Sequence, residues 1–123
     1  LDEGVWRDWG GVLARRLIRV LGLNPDHPES LGTALATWLP LEGWSIELDF
    51  SKDRGFKYEL RVSGCPWWDI MLRSGRTDAV DCSLVDMAFM EGIAGRFSPG
   101  WRVEMLCARP HGEGECRFRF ELL

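Results

Sequence analysis

Four cysteines, Cys65, Cys82, Cys107 and Cys116, are the residues of this chain whose chemistry most needs an explanation. Four thiolates satisfy tetrahedral zinc in a closed structural site, and the same set can hold an iron–sulfur cluster such as [4Fe-4S]. No CxxC pair is present, so a ribbon or knuckle zinc site is excluded. Spacing alone also leaves open four buried thiols or two disulfides.

The positions of the cysteines bear on that choice. Cys107 and Cys116 fall on the apolar register of two alternating segments joined by Ala-Arg-Pro-His-Gly-Glu-Gly-Glu. A hairpin would bring them together, since paired strands lie about 4.8 Å apart, a separation that suits two ligands of one metal or a disulfide. Cys82 falls in the first turn of a helix expected from about Asp78 to Ile93, where the positive end of the helix dipole favours a thiolate. Cys65 follows a strand in Gly-Cys-Pro-Trp-Trp, where the chain leaves the sheet. The expectation is that all four converge on one metal centre.

Other groups could add chemistry around such a centre. His111 lies in the loop between Cys107 and Cys116 and could replace a cysteine or support one. His27, between Asp26 and Pro28, reads as a loop residue. Glu91, Glu104, Asp81 and Asp86 are the carboxylates nearest the cysteines, and Asp86 or Glu104 could serve as a base if the metal carried water. Four sulfur ligands leave no open position on zinc, so a hydrolase would need Cys65 or another cysteine off the metal. No Ser/His/Asp set, Walker loop or GxGxxG is present. Trp67, Trp68, Phe89 and Trp101 could line an apolar pocket beside the metal, although pocket and core residues look alike in sequence.

The elements that must position these groups are legible in the apolar periodicity. Val5, Trp6, Trp9, Val12, Leu13, Leu17, Val20 and Leu21 recur near helical spacing and predict a helix ending at Gly22. Ser30 can cap a second, short helix that stops before Pro40. From Trp44 to Phe50 and from Phe56 to Val62 the period is two, which predicts a β-hairpin. Residues from Pro66 to Met71 and from about Asp78 to Ile93 lose the alternation and read as two further helices. A second hairpin follows, with Trp101, Val103, Met105 and Cys107 on one strand and Cys116, Phe118, Phe120 and Leu122 on the next. The order ααββααββ predicts an α+β fold, an antiparallel sheet of two hairpins with helices packed against it.

Composition bounds the rest. A chain of 123 residues is the ordinary size of one domain, here 1–123, and can enclose a core without staples. It is 46% hydrophobic and 28% charged, which is globular rather than disordered. Seven tryptophans are many for this length and fill cores or pockets. The net charge of −4, with both signs interspersed, leaves no basic footprint for nucleic acid. No apolar run reaches the roughly 20 residues of a membrane helix. The chain opens at Leu1, so processing or excision from a longer protein stays open.

Residues 65–123 resemble the 4-vinyl reductase, or hydrocarbon-binding, domain family, above all in Val103-Glu-Met-Leu-Cys-Ala followed by Gly114-Glu-Cys-Arg-Phe-Arg-Phe. The resemblance implies a sensor with a zinc site of three cysteines and one acidic residue beside an aromatic-effector pocket. It places Cys82, Cys107 and Cys116 on the three cysteines, Cys65 near the acidic ligand's place and Trp67 at the pocket. The run Cys65, Cys82, Asp86, Phe97-Ser-Pro and Gly114-x-Cys-x-Phe is also similar to a family named after L-2-amino-thiazoline-4-carboxylate hydrolase, which implies an enzyme of cyclic amides or thiazolines.

The expectation from residues and resemblance together is a cytoplasmic metal-binding sensory domain. It would hold zinc or a [4Fe-4S] cluster on four cysteines and bind a small apolar or aromatic ligand, with no nucleic-acid or membrane contact and a homodimer left open. A thiazoline hydrolase and an iron–sulfur redox protein are the alternatives.

Overall fold

In the computed structural model, which describes residues 3–52, 55–75, 82–97, 100–107 and 115–122, the first apolar stripe forms a 19-residue helix, α1, Glu3–Leu21. It buries Gly10, Gly11, Leu13, Ala14 and Leu17. Gly22, at φ 65°, takes the left-handed conformation that stops it. The amide of Leu23 then donates to the Ile18 carbonyl at 2.9 Å, the bond that closes a Schellman end.

The second helix, α2, Pro28–Leu41, begins earlier and ends later than its sequence suggests. His27 is its N-cap, with Pro28 in the first turn. Ser30 is not the cap: its hydroxyl donates to the Asn24 carbonyl at 2.6 Å and ties the preceding loop to the helix. Pro40 does not end α2, because one lost amide so near the terminus costs a single bond. The Glu42 amide bonds back to Leu39 at 3.1 Å and Gly43 to Pro40 at 3.1 Å.

Two strands follow, β1, Ser45–Ser51, and β2, Phe56–Gly64, then α3, Pro66–Ser74, and α4, Cys82–Ala94, and finally β3, Trp101–Cys107, and β4, Cys116–Leu122. The start expected for α4 near Asp78 lies outside the described residues. The fold is α+β, with one four-stranded antiparallel sheet in the order β1-β2-β4-β3. That order was not contained in the periodicity: each hairpin is local, but the two are joined through β2 and β4, which lie next to each other. Tyr58 pairs with Phe120, Leu60 with Phe118 and Val62 with Cys116.

Strand alternation sorts the sheet into two faces. Tyr58, Leu60, Val62, Cys116, Phe118 and Phe120 face one core with Leu31 and Leu35 of α2, Leu13 and Leu17 of α1, and Phe89, Met90 and Ile93 of α4. Each fully buried Phe or Leu there contributes roughly 1.5–3 kcal/mol of transfer free energy. Two glycines set the helix layer: a methyl on Gly10 would overlap the Phe89 carbonyl, and one on Gly92 would overlap the Arg7 carbonyl. The α1 and α4 backbones can cross this closely only because neither residue carries a Cβ.

Candidate functional site

The second hairpin decides the fate of the cysteines. From Trp101 to Met105 the pairing of β3 with β4 is regular, but Met105 faces Phe118 and Cys107 faces Arg117, so Leu106 is an extra residue on β3. A bulge of this kind shifts every later side chain by one position, and with a period of two that is a change of face. Cys116 stays inward, 4% exposed, beside Val62 and Phe118. Cys107 instead stands on the Arg117 side, where its thiol donates to the Glu115 carbonyl at 3.5 Å and its charge would be felt by the guanidinium.

Cys65 is 2% exposed and sits between β2 and α3. Its carbonyl accepts the Asp69 amide at 3.1 Å, and Pro66 follows at the first helical position. Its place is therefore that of a buried helix-start residue. Cys82 opens α4, as expected, but its side chain lies outside the described residues, as do those of Trp67 and Met71. His111 and Asp81 lie outside them entirely.

Among the described residues no group of three or more His, Cys, Asp or Glu side chains comes together as a metal site would require. The expected four-cysteine centre, with zinc or a [4Fe-4S] cluster, is thus overturned, and the metal-binding sensor, the metal-dependent hydrolase and the iron–sulfur redox readings go with it. The physical cause is the bulge at Leu106, which puts Cys107 and Cys116 on opposite faces of one hairpin.

The aromatic residues expected around a ligand are placed as follows. Phe89 is fully buried in α4, and Trp68 and Trp101 pack against the same core from α3 and β3. The Trp101 and Tyr58 rings pack at a tilt of 36°, with centroids 5.7 Å apart. Of the carboxylates, Asp86 is buried in α4, Glu104 is exposed on β3, and Glu91 pairs with Arg7 at 3.1 Å. The pair lies beside the close approach of α1 and α4 and is half exposed, so it is worth less than about 1 kcal/mol.

The outer face of the sheet is a lattice of opposite charges. Arg61 lies 3.4 Å from Glu47 and 3.6 Å from Glu115, Arg117 bonds Glu59 through two guanidinium nitrogens, and Glu121 lies between Arg102 and Arg119. Glu59 is the main reason the Arg117 guanidinium is held above its ordinary range. This is how an antiparallel sheet faces water on one side.

A different surface went unremarked in the sequence. Val5, Trp9, Val12 and Val20 recur at helical spacing along α1, yet Val5 is 60%, Trp9 38% and Val20 78% exposed. In the sequence they belong to the same periodic stripe as Leu13 and Leu17. The available signal was the width of the stripe, since a helix with one buried face does not need apolar residues at Val5, Trp9 and Val20 beside Leu13 and Leu17. Leu41, at the end of α2, is 74% exposed. No described helix is long and apolar enough to cross a membrane.

No protein-family model matches the chain, and no curated protein matches it. Among solved structures, one that matches is the trafficking protein particle complex subunit 3 of Naegleria fowleri covalently bound to palmitic acid. The likeness covers 98% of this chain and 77% of that one, with a TM-score of 0.64 and 17% identity. At that identity it establishes a shared fold. That structure belongs to a different family from the 4-vinyl reductase domains, so the resemblance of residues 65–123 to them, with the small apolar ligand it implied, is not sustained.

Proposed function

We propose that this chain is a non-catalytic subunit of a protein assembly, which docks through the outer face of α1 onto a second copy of itself. The observation that carries the reading is the exposed apolar stripe of Val5, Trp9 and Val20 on a helix whose adjoining side, at Leu13 and Leu17, already serves the core. The likeness of fold to a trafficking-complex subunit supports it, since that protein too is a component of a complex.

The charge pattern of α1 favours a like partner in one orientation. Glu3 and Asp8 lie in its first half, where Arg7 is paired with Glu91 of α4, whereas Arg15, Arg16 and Arg19 lie in its second. Two copies crossing antiparallel near Val12 would set the acidic half of each helix beside the basic half of the other. Parallel packing would oppose like charges. Such two-fold contacts are self-complementary by construction. A helix about 28 Å long, at about 1.5 Å per residue over 19 residues, offers a contact line suited to a reversible interface. The same reading places the chain in the cytoplasm, where a core of this size stands without disulfides.

Sedimentation velocity across a concentration series tests it. The expected result is a dimer in the micromolar range that Val20→Glu or Trp9→Glu converts to monomer with unchanged circular dichroism. Asp8→Arg should weaken the dimer, and adding Arg16→Asp should restore it. A wild-type chain that stays monomeric at about 100 μM, a concentration at which even weak specific dimers populate, would end the proposal.

A further inference from the structure

β1 and β3 are the outer strands of the sheet, and the two edges are built differently. β3 carries the bulge at Leu106, a device that bends an edge away from further pairing. β1 pairs with β2 without interruption from Ile46 to Ser51. Along such an antiparallel strand, alternate residues direct their amides and carbonyls away from the neighbour, so half of the Ile46–Phe50 backbone addresses the side where the described sheet ends.

The two flanks of that edge have opposite character. Toward α2 lies a shallow groove of about 330 Å³, lined by Gly32, Thr33 and Ala36 of the helix and by Leu48, Phe50 and Tyr58 of the strands, with Glu29 at its rim. Gly32 has no side chain, and the Tyr58 ring lies against its backbone, which keeps the groove floor flat. On the solvent flank stand Ser45, Glu47, Asp49 and Ser51, all exposed. The Glu47 side chain is 73% exposed although Arg61 lies 3.4 Å away.

We propose that the β1 edge binds an extended peptide of alternating apolar and basic residues, which joins the sheet as a fifth strand. In an added strand, successive side chains point to opposite faces. Those on the α2 side would enter the groove against Leu48, Phe50 and Ala36. Those on the solvent side would lie next to Glu47 and Asp49, where Lys or Arg is complementary and Asp or Glu is repelled. Main-chain bonds would supply affinity and the two flanks the selection, as in other strand-addition complexes.

The same residues argue against a second copy at this edge. Antiparallel self-pairing about Leu48 would set Glu47 opposite Asp49 twice, and like charges directly opposed destabilise a strand pair. The occupant is therefore a different segment with the opposite charge. This inference stands on β1 alone and does not depend on dimerisation through α1.

The probe is a fluorescein-labelled, end-blocked peptide of sequence Lys-Val-Lys-Val-Arg-Ile-Lys, titrated with the full chain at low salt and followed by anisotropy. Saturable binding is expected, together with slowed hydrogen exchange at β1 amides and not at β3. A peptide N-methylated at every second residue along its pairing edge should lose binding, and Asp49→Lys should weaken it about tenfold with the fold intact. Binding that survives N-methylation, or that a scrambled peptide of equal charge matches, would show simple charge attraction and overturn the proposal. So would no binding at about 1 mM, the weak limit for a specific peptide contact.

Discussion

The two faces of the sheet are built from the same four strands and behave as different materials. On the inner face, Leu60, Phe118 and Phe120 are wholly buried against three helices. On the outer face, Glu59, Arg61, Arg117, Arg119 and Glu121 are joined by ion pairs that water competes for. The difference shows where stability resides in this chain. It also shows why neighbouring residues in one hairpin can have unrelated roles: a single step along a strand, or a single inserted residue, exchanges one face for the other.

The largest expected effect comes from the centre of the inner face. Phe118 pairs with Leu60 on one side and Met105 on the other and has no solvent exposure. Phe118→Ala should cost about 3–5 kcal/mol, through lost burial plus an unfilled cavity. Its neighbour on the outer face, Arg119→Ala, should cost less than about 1 kcal/mol. Urea unfolding of the two variants measures the contrast. Equal losses would mean that the outer charge lattice is as structural as the core.

That contrast also explains what the sequence could and could not convey. The alternation of Trp101, Val103 and Met105, or of Cys116, Phe118 and Phe120, is a local consequence of burying one face, so strand positions and the α+β class were readable. The adjacency of β2 and β4 depends on contacts far apart in sequence, and nothing in either hairpin's period encodes it. The bulge at Leu106 failed to announce itself because Leu106 is apolar like its neighbours and is flanked by neither glycine nor proline. Extending the alternation from Met105 to Cys107 therefore assigned Cys107 to the wrong face, and the metal centre depended on that step. The α1 stripe was visible as residues, but the number of elements it had to cover was not.

Cys116 sharpens the comparison next. A Cys116→Ser change would bury a hydroxyl among Val62, Phe118 and the helices, and should cost about 1–3 kcal/mol. If Cys116 and Cys107 shared a function, serine at either would cost alike. A chemical-denaturation midpoint for each variant separates the cases.

Tyr58 reaches from the inner face to α2, where its hydroxyl donates to the Pro28 carbonyl at 2.8 Å. Burial is the chief cause that raises its phenol above the usual 10, with the charge of Glu29 adding to the effect and a Gly32 backbone bond opposing it. A group whose folded-state value is raised holds its proton more tightly in the native state. Its contribution is therefore complete below pH 10 and is lost as the pH climbs from there through the folded-state value. Tyr58→Phe should cost about 1 kcal/mol at neutral pH for the lost hydrogen bond. It should also flatten the alkaline fall in stability. Since Tyr58 is the sole tyrosine, tyrosinate absorbance follows this one group. A Tyr58 that ionises at its ordinary value would mean that the inner face is open to water at α2.

The smallest effect should come from Cys107. Its thiol lies beyond the bulge, partly exposed, next to Arg117 and bonded weakly to the Glu115 carbonyl at 3.5 Å. A hydroxyl of similar size can make the same bond, so Cys107→Ser should change stability by less than about 0.5 kcal/mol. The informative companion is deletion of Leu106. Removing the extra residue puts position 107 directly after Met105 and still opposite Arg117, so serine at 107 should be as harmless in the shortened chain as in the bulged one. A penalty of about 1–3 kcal/mol for serine at 107, in either chain, would mean that its side chain faces the core as Cys116 does.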